Sequence, residues 1–402
     1  MTVVPGIYGK TGENIDEAIL MCLCYFDVFQ YPMKREQIKV YLPYVLPDET
    51  DMEHRLRSGP LAKLVSSKDG YFFLNGRDPD IVQERHQQEQ FAKKRWRIAR
   101  FMAGIIKMFP YVRAVFVSGN LSKNLSRRDS DIDFFILTSP GKLWIARFLL
   151  TAFKKIFLLN KRTFFCINYF RSTDYLKFDD AQSFFTAVEL LTLKPVYNGC
   201  YYEKILLENG WINPIFPNHS NGRLNPGLHS GSTNGLASAG CSGNTNGFSS
   251  GGSAGKTNGL ASSGSAGKTK GLASSGSALK TNGFACYSSE SIENSFISGR
   301  FSKRRSMVQV ILEGILRVFD TGKWDVYFMN HMQRHWSRKY PETPEIVVES
   351  QKKAVHPSTP KPHKYRISRN ESAALGEDSE QAVMDQFQSR FNHYLKKLRE
   401  IS

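Results

Sequence analysis

A 12-residue unit repeats through the middle of this 402-residue chain, at Ser232–Gly243, Asn244–Gly255, Lys256–Gly267 and Lys268–Leu279, with a partial copy from Lys280. Each unit, KTNGLASSGSAG for example, carries one large apolar residue among Gly, Ser, Ala and Asn. A stacked repeat must bury a continuous apolar face, and one such side chain per unit is too few. The composition is that of a flexible linker, so residues 221–290 read as a disordered insertion. The fold must therefore be built by the segments on either side. They have the material for it, since the chain is 41% hydrophobic and 12% aromatic and can bury a core.

The first segment opens with ENIDEAILMCLCYFDVFQ, whose apolar spacing and acidic first turn predict a helix over 13–30. MKREQIKVYL reads as a second, short helix. A helical piece and a strand then lead to Lys68-Asp69-Gly70 and the run Tyr71–Leu74, and Asp-Gly between β-prone runs predicts a hairpin. Small helices followed by a hairpin resemble a winged helix, placed over 1–78. Such a module can put a helix into a nucleic-acid groove. LAKLVSS, however, offers only Lys63 for phosphate and base contacts, which favours a packing role.

Residues 79–220 alternate helix and strand. A long charged helix over 80–108 ends before Pro110, followed by the strand VRAVFVSG, the strand DIDFFIL, the helix GKLWIARFLLTAFKKIFLLN, the strand RTFFCINYF and the helix DDAQSFFTAVELLTLK. This predicts an α/β (α+β) fold with a small mixed sheet. Tyr169, Phe170, Phe184, Phe185, Trp211 and Phe216 read as core aromatics rather than as a platform for bases. Residues 291–402 read as a helical region, with two helices meeting near Thr321–Gly322, a polar Pro-rich piece, and an amphipathic helix over 378–400.

The net charge of +17 favours polyanionic partners. Cys22, Cys24, Cys166, Cys200, Cys241 and Cys286 form no CxxC pair, and the nine histidines have no zinc-type spacing. Reduced thiols and a cytoplasmic location fit this usage. The N-terminus lacks the basic and apolar regions of a signal peptide. The most apolar run, KLWIARFLLTAFKKIFLL, is interrupted by Arg147, Lys154 and Lys155, so no membrane span and no membrane partner are expected.

The chemistry concentrates in VSGNLSKNLSRRDSDIDFFIL, residues 117–137. A hydrophobic strand ends at Gly119, Asn120 follows, and ten residues later comes Asp131-Ile-Asp133-Phe. On a strand, period-two spacing aims Asp131 and Asp133 at one spot, where their repulsion calls for a cation. Asp129 precedes Ser130 rather than an apolar residue and reads as a turn residue. The pattern resembles the signature of the nucleotidyltransferase superfamily that includes DNA polymerase β, aminoglycoside nucleotidyltransferases and poly(A) polymerases. YFDVFQYP, CINYF, TAVELL, NGWINPIFPN and KPH further resemble a bacterial group of nucleotidyltransferase-domain proteins with a helical N-terminal region.

The resemblance implies transfer of NMP from an NTP to a hydroxyl acceptor. Asp131 and Asp133 would act as catalytic metal ligands for Mg²⁺, two ions in all. Ser118, Gly119, Asn120, Lys123 and Asn168 would bind the nucleotide, with Gly119 letting the backbone approach phosphate. Two departures stand out. Asn120 replaces the usual Ser or Gly, and the strand FFCINYF has no third carboxylate, only Asn168, with Asp174, Asp179 and Asp180 in the loop beyond. Hence the alternative, a nucleotide-binding regulatory protein with little or no turnover, whose N-terminal module binds nucleic acid or a partner.

Overall fold

Helix α1 (Ile15–Asp27) is apolar on every side, and it buries every residue but Glu17. A helix with no polar face must sit inside the molecule, and α1 is the axis on which the N-terminal elements assemble. The computed structural model describes residues 15–46, 49–159, 163–178, 182–219, 305–319, 322–339, 346–347, 365–374 and 380–401. The insertion expected over 221–290 and the KPH run at 361–363 lie outside the described residues.

After α1 come β1 (Met33–Lys34), α2 (Arg35–Val40), α3 (Glu49–Ser58), β2 (Val65–Lys68) and β3 (Tyr71–Leu74). The strands form an antiparallel sheet in the order β1-β3-β2. The β2–β3 hairpin turns on Asp69 and Gly70, at φ +53° and +76°. Both residues are left-handed, the twist that a two-residue hairpin loop needs.

The second sheet has seven strands, in the order β7-β4-β5-β6-β10-β9-β8. They are β4 (Val112–Ser118), β5 (Asp133–Thr138), β6 (Cys166–Ser172), β7 (Lys194–Tyr197), β8 (Ile346–Val347), β9 (Tyr365–Ile367) and β10 (Glu371–Ala374). β4 pairs antiparallel with β5 and β7, and β5 runs parallel to β6. Parallel neighbours need a long crossover, which α6 (Leu143–Phe157) supplies.

Alternation assigns each strand residue to one of two cores. Ala114, Phe116, Phe135 and Leu137 join α1, α7 (Phe184–Thr192), α8 (Cys200–Glu208) and the last helix, Glu380–Ile401. Val115, Val117, Phe134 and Ile136 join α4 (Ile81–Ile106) and α6 on the opposite face. Helices thus cover both faces of a mixed sheet. Phe170, Phe184 and Phe216 are buried core residues, while Tyr169, Phe185 and Trp211 are partly buried against the same cores.

The C-terminal region departs from the helical expectation. It supplies α9 (Met307–Phe319), α10 (Lys323–Lys339) and α11 (Glu380–Ile401), but also three strands that widen the sheet. β10 pairs antiparallel with β6, Ser372 opposite Phe170. Its sequence, ESAA, has no large apolar alternation, so pairing with β6 decides its conformation rather than local preference. β7 was likewise unread: it is four residues long, contains Pro195 and lies at the sheet edge, where a strand proline is tolerated.

Contacts between elements far apart in sequence hold the ends together. Asp325 on α10 accepts hydrogen bonds from Trp144 N and Ile145 N at 2.7 and 2.9 Å, capping α6 from outside its own sequence. Buried Asp27, at the end of α1, accepts from Arg77 Nε at 2.8 Å and lies 3.4 Å from Arg390 of α11. Removing the carboxylate leaves two partly buried cations facing each other. Asp27→Ala is expected to lower stability by about 3 kcal/mol, read as a fall in the urea midpoint; an unchanged midpoint would show that the triad contributes nothing.

Candidate functional site

The site begins with one register. Ser118, the last residue of β4, pairs with Asp133, the first of β5. The next residue, Gly119, turns out of the sheet at φ +66°, and a Cβ there would lie 2.7 Å from Asp133 Oδ2. Glycine is required twice over, for the backbone angle and for the space. α5 (Gly119–Ser122) follows, with Ser122 Oγ donating to Gly119 O at 2.8 Å.

Three other elements hold the loop that carries this turn to β5. From α4, Trp96 Nε1 donates to Asn124 Oδ1 at 2.9 Å, and Arg95 donates to the Arg128 carbonyl and to Thr163 O. From the N-terminal module, Tyr31 OH donates to Lys123 O at 3.3 Å. That hydroxyl also accepts from Gln37 and from buried Arg85, at 2.8 and 2.9 Å. Asp129 sits in the turn at 128–129, as its sequence context indicates.

Asp131 and Asp133 do not share a strand, contrary to the expectation from spacing. β5 starts at Asp133, and Asp131 lies in the segment leading into it. The alternation nonetheless persists: both carboxylates are partly exposed, while Ile132 and Phe134 between and after them are fully buried. Period two places Asp133 on the face of Phe135 and Leu137, the side covered by α7.

α7 brings a residue that sequence reasoning passed over. Glu189 Oε1 lies 2.7 Å from Lys123 Nζ, and the same ammonium is 3.3 Å from Gly119 O. Lys123, expected to wait for phosphate, is held in this ion pair with its side chain nearly buried. The available signal was the single acid in the otherwise apolar TAVELL. Asn168, the candidate substitute for a third carboxylate, has its Nδ2 3.5 Å from Asp133 Oδ1, at the limit of a hydrogen bond. The expected alternation of Phe164, Cys166 and Asn168 fails, because Asp133 pairs with Cys166 but Phe135 pairs with Tyr169. The extra β6 residue is a bulge, and it leaves Asn168 exposed. Of the loop acids, Asp174 is engaged by Ser172 Oγ, and Asp179 and Asp180 lie outside the described residues. Asn120 is exposed and lends its carbonyl to Lys123 N and Leu125 N.

Burial pushes the Asp133 carboxyl up to about 6, and the charges of Asp131 and Glu189 push the same way. The Cys166 thiol, which hydrogen-bonds to the carboxyl, and the Lys123 ammonium oppose the rise. Burial also pushes that thiol up, to about 12, so it stays a donor. This is a cluster of negative charge in a poorly solvated place, and a cation would relieve it.

Among the described residues, no three His, Cys, Asp or Glu side chains are grouped to hold a metal ion. An all-protein cage is therefore not built there. The donor set does suit Mg²⁺, which binds through one or two carboxylates together with waters and substrate phosphates. The space beside Asp133 that a Cβ would fill agrees with such a use. Comparison with protein-family models, curated proteins and solved structures finds no match to this chain.

The sign of the Asp133 contribution follows from its raised value. The folded chain keeps this proton to about pH 6, whereas the unfolded chain releases it near the ordinary 3.8. Asp133 therefore makes stability fall as pH rises from 3.8 to about 6, with no further change above. At about 1.4 kcal/mol per tenfold change in proton affinity the upper bound is roughly 3 kcal/mol, which partial exposure reduces to about 1–2 kcal/mol. In Mg²⁺-free buffer, Asp133→Asn is expected to be more stable than the wild type by that amount at pH 7.5 and equal to it at pH 3.5. A variant less stable at pH 7.5 would contradict this account.

Proposed function

We propose that this protein is a Mg²⁺-dependent nucleotidyltransferase that moves NMP from an NTP to a hydroxyl acceptor and releases pyrophosphate. The observation that carries the reading is the convergence of the Gly119 turn on Asp133. A strand-ending glycine, a carboxylate packed against it and a second acid two residues earlier form one surface, with Lys123 and Glu189 behind it. The resemblance of residues 117–137 to the nucleotidyltransferase signature supports the same reading, and so does the mixed sheet that carries them. The helices and three-stranded sheet of the N-terminal part suit a winged-helix-like module, here in a packing role against the Lys123 loop through Tyr31.

Each residue then has a task. Asp131 and Asp133 would hold Mg²⁺, which supplies charge stabilisation to the triphosphate and the leaving pyrophosphate. Ser118, Gly119 and Asn120 offer a backbone path open to phosphate oxygens. Lys123 provides the positive charge, exchanging Glu189 for a phosphate when the nucleotide arrives. Glu189, so released, accepts the proton of the attacking hydroxyl, the part that a third carboxylate on β6 would otherwise play. The acceptor oxygen bonds to the α-phosphorus as the bond to the bridging oxygen breaks.

A second reading, an NTP-binding regulator without turnover, is favoured by the neutral Asn168 on β6 and by the Lys123–Glu189 pairing. Transfer of label from α-³²P-NTP to a broad panel of hydroxyl acceptors separates the two. The enzyme reading predicts Mg²⁺-dependent transfer that falls about 10³-fold in Asp133→Ala and strongly in Glu189→Gln, with NTP binding retained in the latter. Binding without any transfer supports the regulator, and transfer unaffected by Asp133→Ala removes the assignment.

A further inference from the structure

Helix α9 is mounted with its polar residues inward. Gln309 is fully buried and donates from Nε2 to Phe109 O and Val112 O at 3.1 and 2.6 Å. Glu313, four residues on, accepts from Arg113 Nη1 and Tyr111 N at 2.8 and 2.7 Å. Leu316, seven residues from Gln309, packs beside Tyr111, Ile145 and Phe328. The stripe 309-313-316 thus fixes the helix to the start of β4 and to α6 and α10.

The opposite stripe is apolar and faces solvent. Val308, Ile311, Leu312, Ile315 and Val318 follow helical spacing, and Ile311 is 52% and Val318 81% exposed. A surface helix ordinarily does the reverse, and a contiguous apolar face of this kind marks an interaction surface. The charges around it are of one sign. Glu313 is the sole acid within 305–319 and is turned inward. Arg305 reaches toward Glu313 at 3.6 Å, with 55% of its side chain exposed, and Arg317 is exposed near the other end. Lys323, at the start of α10, is exposed as well.

We propose that this face of α9 lies on an anionic lipid surface, its apolar stripe at the acyl boundary and its arginines among the headgroups. Charge complementarity selects this occupant. If two copies paired their stripes about a two-fold axis, Arg305 and Arg317 of each would meet those of the other, with no acid on that face to separate them. An anionic membrane presents the opposite charge to the whole face. Trp324 and Tyr327 on α10, both about half exposed, are residue types that favour such an interface. No helix among the described residues is long and apolar enough to cross a membrane, and α9 needs only to lie in its plane.

The test is co-sedimentation of the full chain with phosphatidylcholine vesicles, with and without phosphatidylglycerol. The protein is expected to bind the anionic vesicles and not the neutral ones, and to be released by salt. Ile311→Asp should weaken binding about tenfold or more, with an unchanged thermal melt because the site is solvent-exposed. Arg317→Glu, which leaves the stripe intact, should weaken it too. Absence of binding to anionic vesicles, or equal binding by Ile311→Asp, would overturn the proposal. So would a dimer, seen by light scattering, that Ile311→Asp dissolves, since the stripe would then belong to a second copy. None of these outcomes depends on whether NMP transfer occurs.

Discussion

The antiparallel pairing of β4 with β5 is the contact on which the rest depends. It joins the two cores, because Phe116 and Phe135 face one side while Val117 and Phe134 face the other. Its register also sets Ser118 opposite Asp133. A slip of one residue would turn every side chain to the wrong face, so burial of the sheet and construction of the site are the same event. Gly119 is the consequence: the chain must leave β4 sharply beside an acid, and only a residue without a Cβ can do so there.

Around that pairing the molecule concentrates negative charge where water is scarce. The Lys123–Glu189 pair at 2.7 Å neutralises part of it and keeps the lysine beside Gly119. Asp133 remains poorly compensated, and its carboxyl binds a proton more tightly than an aspartate ordinarily does. Strain of this electrostatic kind, held at a site by a well-packed surrounding, is characteristic of functional places. Here the surrounding includes the N-terminal module, through Tyr31 and Arg85, and α4, through Arg95 and Trp96.

What the sequence disclosed and what it withheld divide along physical lines. Strands buried on both faces, such as VRAVFVS, and long amphipathic helices such as 81–106 carry their periodicity locally and were legible. The Asp69-Gly70 hairpin was legible for the same reason, since turn chemistry is local. β7 and β10 were not, because four-residue strands containing proline or small polar residues take their shape from a neighbouring strand. The bulge at Asn168 depends on pairing with β5, so strict alternation misplaced that residue. Glu189 stands 56 positions beyond Asp133 in sequence, and no spacing rule links an acid inside an apolar helix to a carboxylate across the sheet. The inward polar stripe of α9 was equally hidden, because amphipathic spacing does not say which side faces the protein.

The central claim is that Asp131, Asp133 and the Gly119 turn receive a metal-bound triphosphate. It is tested most directly by a crystal structure with Mg²⁺ and a non-hydrolysable NTP analogue. The account predicts Mg²⁺ at about 2.0–2.1 Å from carboxylate oxygens of Asp131 and Asp133, phosphate oxygens against the backbone of 118–120, and Lys123 turned from Glu189 to phosphate. A nucleotide bound elsewhere, or none bound while Lys123 and Glu189 stay paired, would contradict it.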